Sequence, residues 1–217
     1  MALLDEIDAL IDERHLLTHP FYVRWVAGTL PVEALRTYVQ QYYAFESAFP
    51  RFLSAIHSRC ERADIRQTIL DNLWDEELGE ENHAELWLRF AEGVGVARSE
   101  VAGATPNPAT RALVDTYFRA ATEGPLAAGL AAIHAYERQV PAVAAAKIAS
   151  LRAHYGIDDP RTLAFWEVHQ SLDEQHAGAE RAILAQADGE DRPVVLRATS
   201  RALEAWWRFL EAADLPG

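Results

Sequence analysis

The chain has 217 residues, half of them hydrophobic and 24% charged, which excludes a mainly disordered polypeptide and suits one domain spanning 1–217. Thirty-three acidic against 20 basic residues give a net charge of −13, a field that argues against nucleic acid or an anionic membrane as partner. One cysteine, Cys60, excludes an intrachain disulfide framework; with no apolar run near the ~20 residues of a membrane span and acids throughout MALLDEIDALIDER, a soluble cytoplasmic protein is expected.

The apolar spacing is helical almost throughout. Leu3–Leu17 reads as an amphipathic helix, followed by a short piece from Phe21 to Val26. Gly28 and Thr29 signal a turn, and Pro31 suits the first turn of a long helix reaching about Cys60, with Pro50 inside it. A second long helix is expected from about Asp64 to Phe90, ending near Gly93 and Gly95. Gly103–Thr110 is the clearest loop. Helices then follow over about Pro108–Ala121, Pro125–His154, Asp159–Ala187 and Pro193–Ala213, with stops at Gly156 and Gly189. This gives an all-α fold of about seven or eight helices. Trp206 and Trp207 read as the docking face of the last helix.

Nineteen of the basic residues are Arg and one is Lys, Lys147. Arg-rich coding explains the nineteen but not the exception. A guanidinium keeps its proton in a protein, whereas a buried amine can become neutral. Lys147 lies in the apolar stretch PAVAAAKIAS, where such a change is favoured.

Of eight histidines, His15, His19, His57, His134 and His154 have no obvious carboxylate at ligand spacing and read as surface or satisfied core groups. His169, Asp173 and His176 stand at i, i+4 and i+7, within a sector of roughly 60° on one helix face. That is either a metal-binding arrangement or a solvated charged face. Glu76, Glu80 and His83 share a face of an acidic helix, with Trp74, Leu78 and Trp87 expected to draw part of the acid inward. Glu137 stands in an otherwise apolar helix and needs a partner, because an unpaired buried charge costs several kcal/mol or more. Pro141 cannot donate to the Glu137 carbonyl, so a bend is expected beside that carboxylate. Together these segments offer Glu76, His83, Glu137, His169, Asp173 and His176, enough nitrogen and oxygen donors for two first-row metal ions.

The segments THPFYVRW, AFPRFLSAIHSRC, ILDNLWDEELGEENHAELW and LAAGLAAIHAYERQVPAVAAAKI, with the His169–Asp173–His176 helix, resemble the chlamydial death-domain-associating protein and its bacterial relatives (CADD-like proteins). These are haem-oxygenase-like dimetal oxidases, a helical-bundle fold shared with PqqC and TenA. The resemblance implies Glu76, His83, Glu137, His169, Asp173 and His176 as ligands to two metal ions, Fe/Fe or Fe/Mn, and leaves Glu80 outside the ligand set. It implies an O₂-dependent, self-sacrificing reaction, fed by an external reductant and an electron donor of unknown identity, that makes para-aminobenzoate from one of the protein's own tyrosines. The matching positions are Tyr22 for the consumed tyrosine, Lys147 for the amino donor, and Tyr38 and Tyr136 for neighbouring tyrosines. A homodimer is possible. The chlamydial protein's cysteine-containing tail has no counterpart here, so a host death-domain partner is not expected.

Three other readings compete. A dimetal oxidase could act on an external small molecule, such as a fatty-acid or amino-acid derivative; retention of Tyr22 and Lys147 weighs against it. A TenA-like thiaminase needs a cysteine nucleophile, for which Cys60 is the only candidate, and nothing in its surroundings activates it. A helical interaction module would need no inward-facing ligands.

Overall fold

Residues 2–187 and 189–214 are described in the computed structural model, with side chains for all of them except 171–175. Helices are the only regular structure among them. In chain order they are α1 (Leu3–Glu13), α2 (Pro20–Val26), α3 (Val32–Glu46), α4 (Phe49–Arg59), α5 (Ala63–Glu77), α6 (His83–Gly93), α7 (Arg98–Ala102), α8 (Pro108–Thr122), α9 (Leu126–Glu137), α10 (Val140–His154), α11 (Pro160–Leu184) and α12 (Arg192–Ala213). Short 3₁₀ turns at Leu16–Thr18 and Gly189–Asp191 link some of them. No described helix is long and apolar enough to cross a membrane.

The helices outnumber the seven or eight expected because three long ones are broken, each for a local reason, and because the short α7 forms where no helix was expected. The helix expected from Pro31 to Cys60 stops at Glu46, and Pro50 falls in the first turn of α4, the one place where its missing N–H costs nothing. The helix expected from Asp64 to Phe90 stops at Glu77. Gly79 then takes φ +88°, a left-handed conformation open to glycine. Asn82 restarts the chain as α6 by accepting a hydrogen bond from the Glu85 amide at 3.0 Å, the usual N-cap arrangement. The bend expected beside Glu137 is a full interruption: α9 ends at Glu137, and Pro141 lies in the first turn of α10. The first helix likewise ends at Glu13, short of the expected Leu17.

The core is built around α9, in which every residue from Ala128 to Glu137 is buried. A helix apolar on all sides belongs inside a bundle, and α9 packs against α12, α11 and α8. Gly129 lets it approach closely, since a Cβ there would lie 3.0 Å from Ile56 and 3.1 Å from the Ala120 carbonyl oxygen. Helix α11 packs against α10 and α6, and so borders both polar clusters described next. In α12, Trp206 is buried and stacks on Tyr136, while Trp207 donates its indole N–H to the Arg14 carbonyl at 2.9 Å.

Candidate active site

Four buried acid or imidazole side chains sit at the helix breaks. Glu46 ends α3, Glu76 is the penultimate residue of α5, His83 begins α6, and Glu137 ends α9. The interruptions therefore bring chemistry-bearing residues from separate helices into one interior pocket. Glu76 Oε2 lies 2.8 Å from His83 Nδ1. The His83 and His169 rings are 4.3 Å apart. One donor atom each from Glu46, His83 and His169 lies within 4.8 Å of the others. His169 Nδ1 sits 2.7 Å from the Phe165 carbonyl oxygen; donation there fixes the tautomer and leaves Nε2 with its lone pair for a ligand. Asn72 donates to Glu137 Oε1 at 2.9 Å.

The electrostatics of this pocket are those of crowded acids. Burial, and then the neighbouring Glu76 carboxylate, push the Glu46 carboxyl up to about 8. Burial also raises Glu137 to about 8, against the lowering effect of Asn72 and with Glu76 adding to the rise. Burial alone would lower His83, but the Glu76 and Glu46 carboxylates outweigh it and lift the imidazole to about 9. Burial, reinforced by His83, holds His169 well below its ordinary value.

The second cluster lies in helix interiors. Lys147, in α10, is 1% exposed. Its Nζ donates to the Tyr22 hydroxyl at 3.0 Å and the Tyr38 hydroxyl at 2.8 Å. The two hydroxyls are 2.9 Å from each other. Trp166 stands 4.0 Å below the nitrogen, with Trp25 at 4.6 Å. Burial holds the Lys147 amine well below its ordinary value and raises both phenols. Burial thus favours the neutral form of all three groups, for the amine the form that carries a lone pair.

Aromatic rings connect the clusters. The Tyr38 and Tyr42 rings are 5.4 Å apart, the Tyr42 and Tyr136 hydroxyls are hydrogen-bonded, and the Tyr42 hydroxyl neighbours the Glu46 carboxyl. On α11, Trp166 beneath Lys147 lies three residues before His169.

Of the expected metal-binding residues, Glu76, His83 and His169 gather in the first pocket, and Glu137 adjoins it through its interaction with Glu76. His176 Nε2 contacts Asp75 at 3.2 Å, while its buried Nδ1 has no partner. The Asp173 side chain lies outside the described residues. Glu80 is exposed. Trp74 and Leu78, expected around the carboxylates, are instead 61% and 52% exposed, so Trp87 alone of the three is buried. Glu76 instead turns inward onto His83.

Three interior residues escaped the sequence reading. Glu46 continues the Tyr38–Tyr42 stripe of α3 at i+8, and that spacing was its signal. Asn72 and Glu180 are the other two; Glu180 neighbours Glu137 and lies 3.5 Å from His134, which is buried and depressed to about 4, mainly by burial. His19 caps α2 by accepting from the Phe21 amide, as a satisfied core group.

Residues 36–207 match a family described as iron-containing redox enzymes. The chain belongs to this family. It is accordingly an oxidoreductase. It is 40% identical over 212 residues to a protein of Chlamydia muridarum named 4-aminobenzoate synthase, covering 98% of this chain and 90% of that one. It is 42% identical over 217 residues to a protein of the same name from Nitrosomonas europaea, covering 95% and 88%. The fold matches a TenA homologue from P. horikoshii at a TM-score of 0.80 and 18% identity, over 98% of each chain.

The first pocket fits the metal its family implies. Its donors are carboxylates and imidazoles, the set that suits iron or manganese. Glu46 Oε1, Glu137 Oε2 and His176 Nδ1 are buried without a hydrogen-bond partner, and unmet polar atoms of this kind are what a bound cation satisfies.

Proposed function

We propose that this protein makes 4-aminobenzoate from its own Tyr22, with Lys147 donating the amino group. The observation that carries the reading is the placement of Lys147 Nζ, the chain's single lysine nitrogen, 3.0 Å from the Tyr22 hydroxyl in a buried aromatic cage. The names of the relatives from Chlamydia and Nitrosomonas favour the same product.

The chemistry demanded of Tyr22 follows from comparing a tyrosine side chain with the product. The ring and Cβ are kept, the Cα–Cβ bond breaks, Cβ is oxidised to a carboxylate, and the Lys147 nitrogen replaces the phenol oxygen, which leaves as water. The Lys147 Cε–Nζ bond breaks with oxidation of Cε to an aldehyde whose oxygen comes from water. These changes require an oxidant, supplied by O₂ with an external reductant. Two iron ions, or one iron and one manganese, would be held by Glu76, His83, Glu137, His169, Asp173 and His176 and would supply O₂ activation. The chain's own groups do the rest. Burial keeps the Lys147 amine neutral and nucleophilic. The hydrogen bonds from Lys147 fix the Tyr22 and Tyr38 hydroxyls against its nitrogen. Tyr38 and Tyr136, with Tyr42 between them, offer phenols through which an electron and proton can leave Tyr22. Trp25 and Trp166 exclude water, so the activated ring meets nitrogen rather than solvent.

A dimetal oxidase acting on an external small molecule is the nearest rival, and the filled, aromatic surroundings of Lys147 leave it less support. Metal-loaded protein given O₂ and reductant, but no organic substrate, is expected to yield 4-aminobenzoate. A strict need for an added organic substrate would overturn the proposal.

A further inference from the structure

Glu46 lies outside the six positions that the family resemblance marks for metal, yet its placement is that of a ligand. It is the last residue of α3 and 3% exposed. Its carboxyl meets the Tyr42 hydroxyl, but Oε1 has no hydrogen-bond partner among the described residues. A buried carboxylate oxygen left unmet costs at least ~1–3 kcal/mol, and Glu76 and Glu137 stand in the same interior. If Glu46 served only to accept from Tyr42, a glutamine would do so without bringing a third acid into the pocket. A carboxyl group is explained by a cation facing it. The cation's place is marked by His83 and His169, whose donor atoms lie within 4.8 Å of a Glu46 oxygen and of each other.

We propose that Glu46 is a metal-binding carboxylate that shares one divalent ion with His83 and His169. This rests on the reading of the pocket as a metal centre and adds a residue to it. It also gives Tyr42 a positioning role, since its hydroxyl is hydrogen-bonded to that of Tyr136 and stands next to the Glu46 carboxyl.

The test is anaerobic titration of the metal-free full chain with Mn²⁺, following the free ion by electron paramagnetic resonance, and in parallel with Fe²⁺. Wild type, Glu46→Gln and His83→Ala are compared, with folding checked by circular dichroism. Glu46→Gln keeps the shape and can still accept from Tyr42. It is expected to weaken one equivalent of metal by at least about tenfold, the loss typical even of a supporting partner, and to change the spectrum of bound Mn²⁺. His83→Ala is expected to lose that equivalent. If Glu46→Gln binds both equivalents at wild-type affinity with an unchanged spectrum while His83→Ala loses metal, the Glu46 assignment is overturned and the metal centre stands. If wild type binds neither Mn²⁺ nor Fe²⁺, the metal centre falls and Glu46 with it. Should Glu46→Gln fail to fold, Glu46→Leu replaces it, with the same expected loss and the same overturning result.

Discussion

The two polar clusters are equally buried but balanced in opposite ways. Around Lys147 the amine and the two phenols answer one another, and only the indole nitrogens of Trp25 and Trp166 in the surrounding cage lack a partner among the described residues. Around His83 the acids Glu46, Glu76 and Glu137 crowd two imidazoles, and oxygens of Glu46 and Glu137 are left unmet. The first cluster sits in the middle of α2, α3 and α10, where backbone geometry is fixed. The second gathers Glu46, Glu76, His83 and Glu137 from helix ends against His169 in the interior of α11. The contrast separates a reactant store complete in itself from a pocket that needs a cation to be complete.

The largest effects should come from breaking the complete cluster while sparing the other. Tyr22→Phe removes the phenol and should keep its metals while making little or no product. Lys147→Arg should likewise abolish product, because a guanidinium does not become a free amine; circular dichroism and metal content establish that the variant is folded and loaded. Normal product yield from either variant would remove that residue from the mechanism.

The reverse experiment breaks the incomplete cluster. His176→Ala or Glu137→Ala should lose at least one ion's worth of binding, measured by metal analysis, and with it product formation. Full retention of both ions in either variant would contradict the ligand assignment.

A smaller effect lies in the pH dependence of stability. In the metal-free protein Glu46 and Glu137 are raised from 4.5 to about 8, and His83 from 6.5 to about 9. The folded state therefore binds more protons than the unfolded chain across that range. Stability is fullest below pH 4.5 for the acids and below 6.5 for the imidazole, and is lost as pH rises towards 9. Divalent metal displaces those protons. Thermal melts should show metal raising Tm, with a gain that grows from pH 6 to pH 8. A gain that shrinks with pH would contradict this account.

The smallest expected effect is a stabilisation. The Lys147 pKa is lowered by burial, so the unfolded chain binds more protons than the folded one between that value and 10.5, and stability from this group rises with pH through that window. Lys147→Met fills the cage without a group that must be neutralised. It should raise Tm at pH 7 by about 2–4 °C for each kcal/mol recovered while abolishing product. A lower Tm would mean that the hydrogen bonds to Tyr22 and Tyr38 outweigh the burial of the amine.

The helical class and the burial of Lys147 and Glu137 were legible because periodicity and composition carry them directly, whereas the inward turn of acid near His83 was expected from Trp74, Leu78 and Trp87, of which only Trp87 is buried. The helix breaks were only partly legible. Pro50 and Pro141 were visible, but an apolar period continues across both, and whether proline kinks or interrupts a helix depends on what packs there. Glu46 was hidden for the same reason. Its place on the Tyr38–Tyr42 face marks it as inward, but a helix continuing past it hides that α3 ends there, beside His83. Trp74 misled because a large aromatic normally signals a core face, whereas here it is 61% exposed.

The central claim is that the product ring is the ring of Tyr22, and isotope labelling tests it most directly. Protein grown with ring-¹³C₆ tyrosine, metal-loaded and exposed to O₂ and reductant with no labelled free tyrosine present, should release 4-aminobenzoate carrying all six labelled carbons. The yield should not exceed one per chain, and intact-mass analysis should show a chain that has lost the tyrosine side chain at position 22 and the amine nitrogen of Lys147. Unlabelled product, or more than one product molecule per chain, would contradict the account and make an external-substrate oxidase the better one.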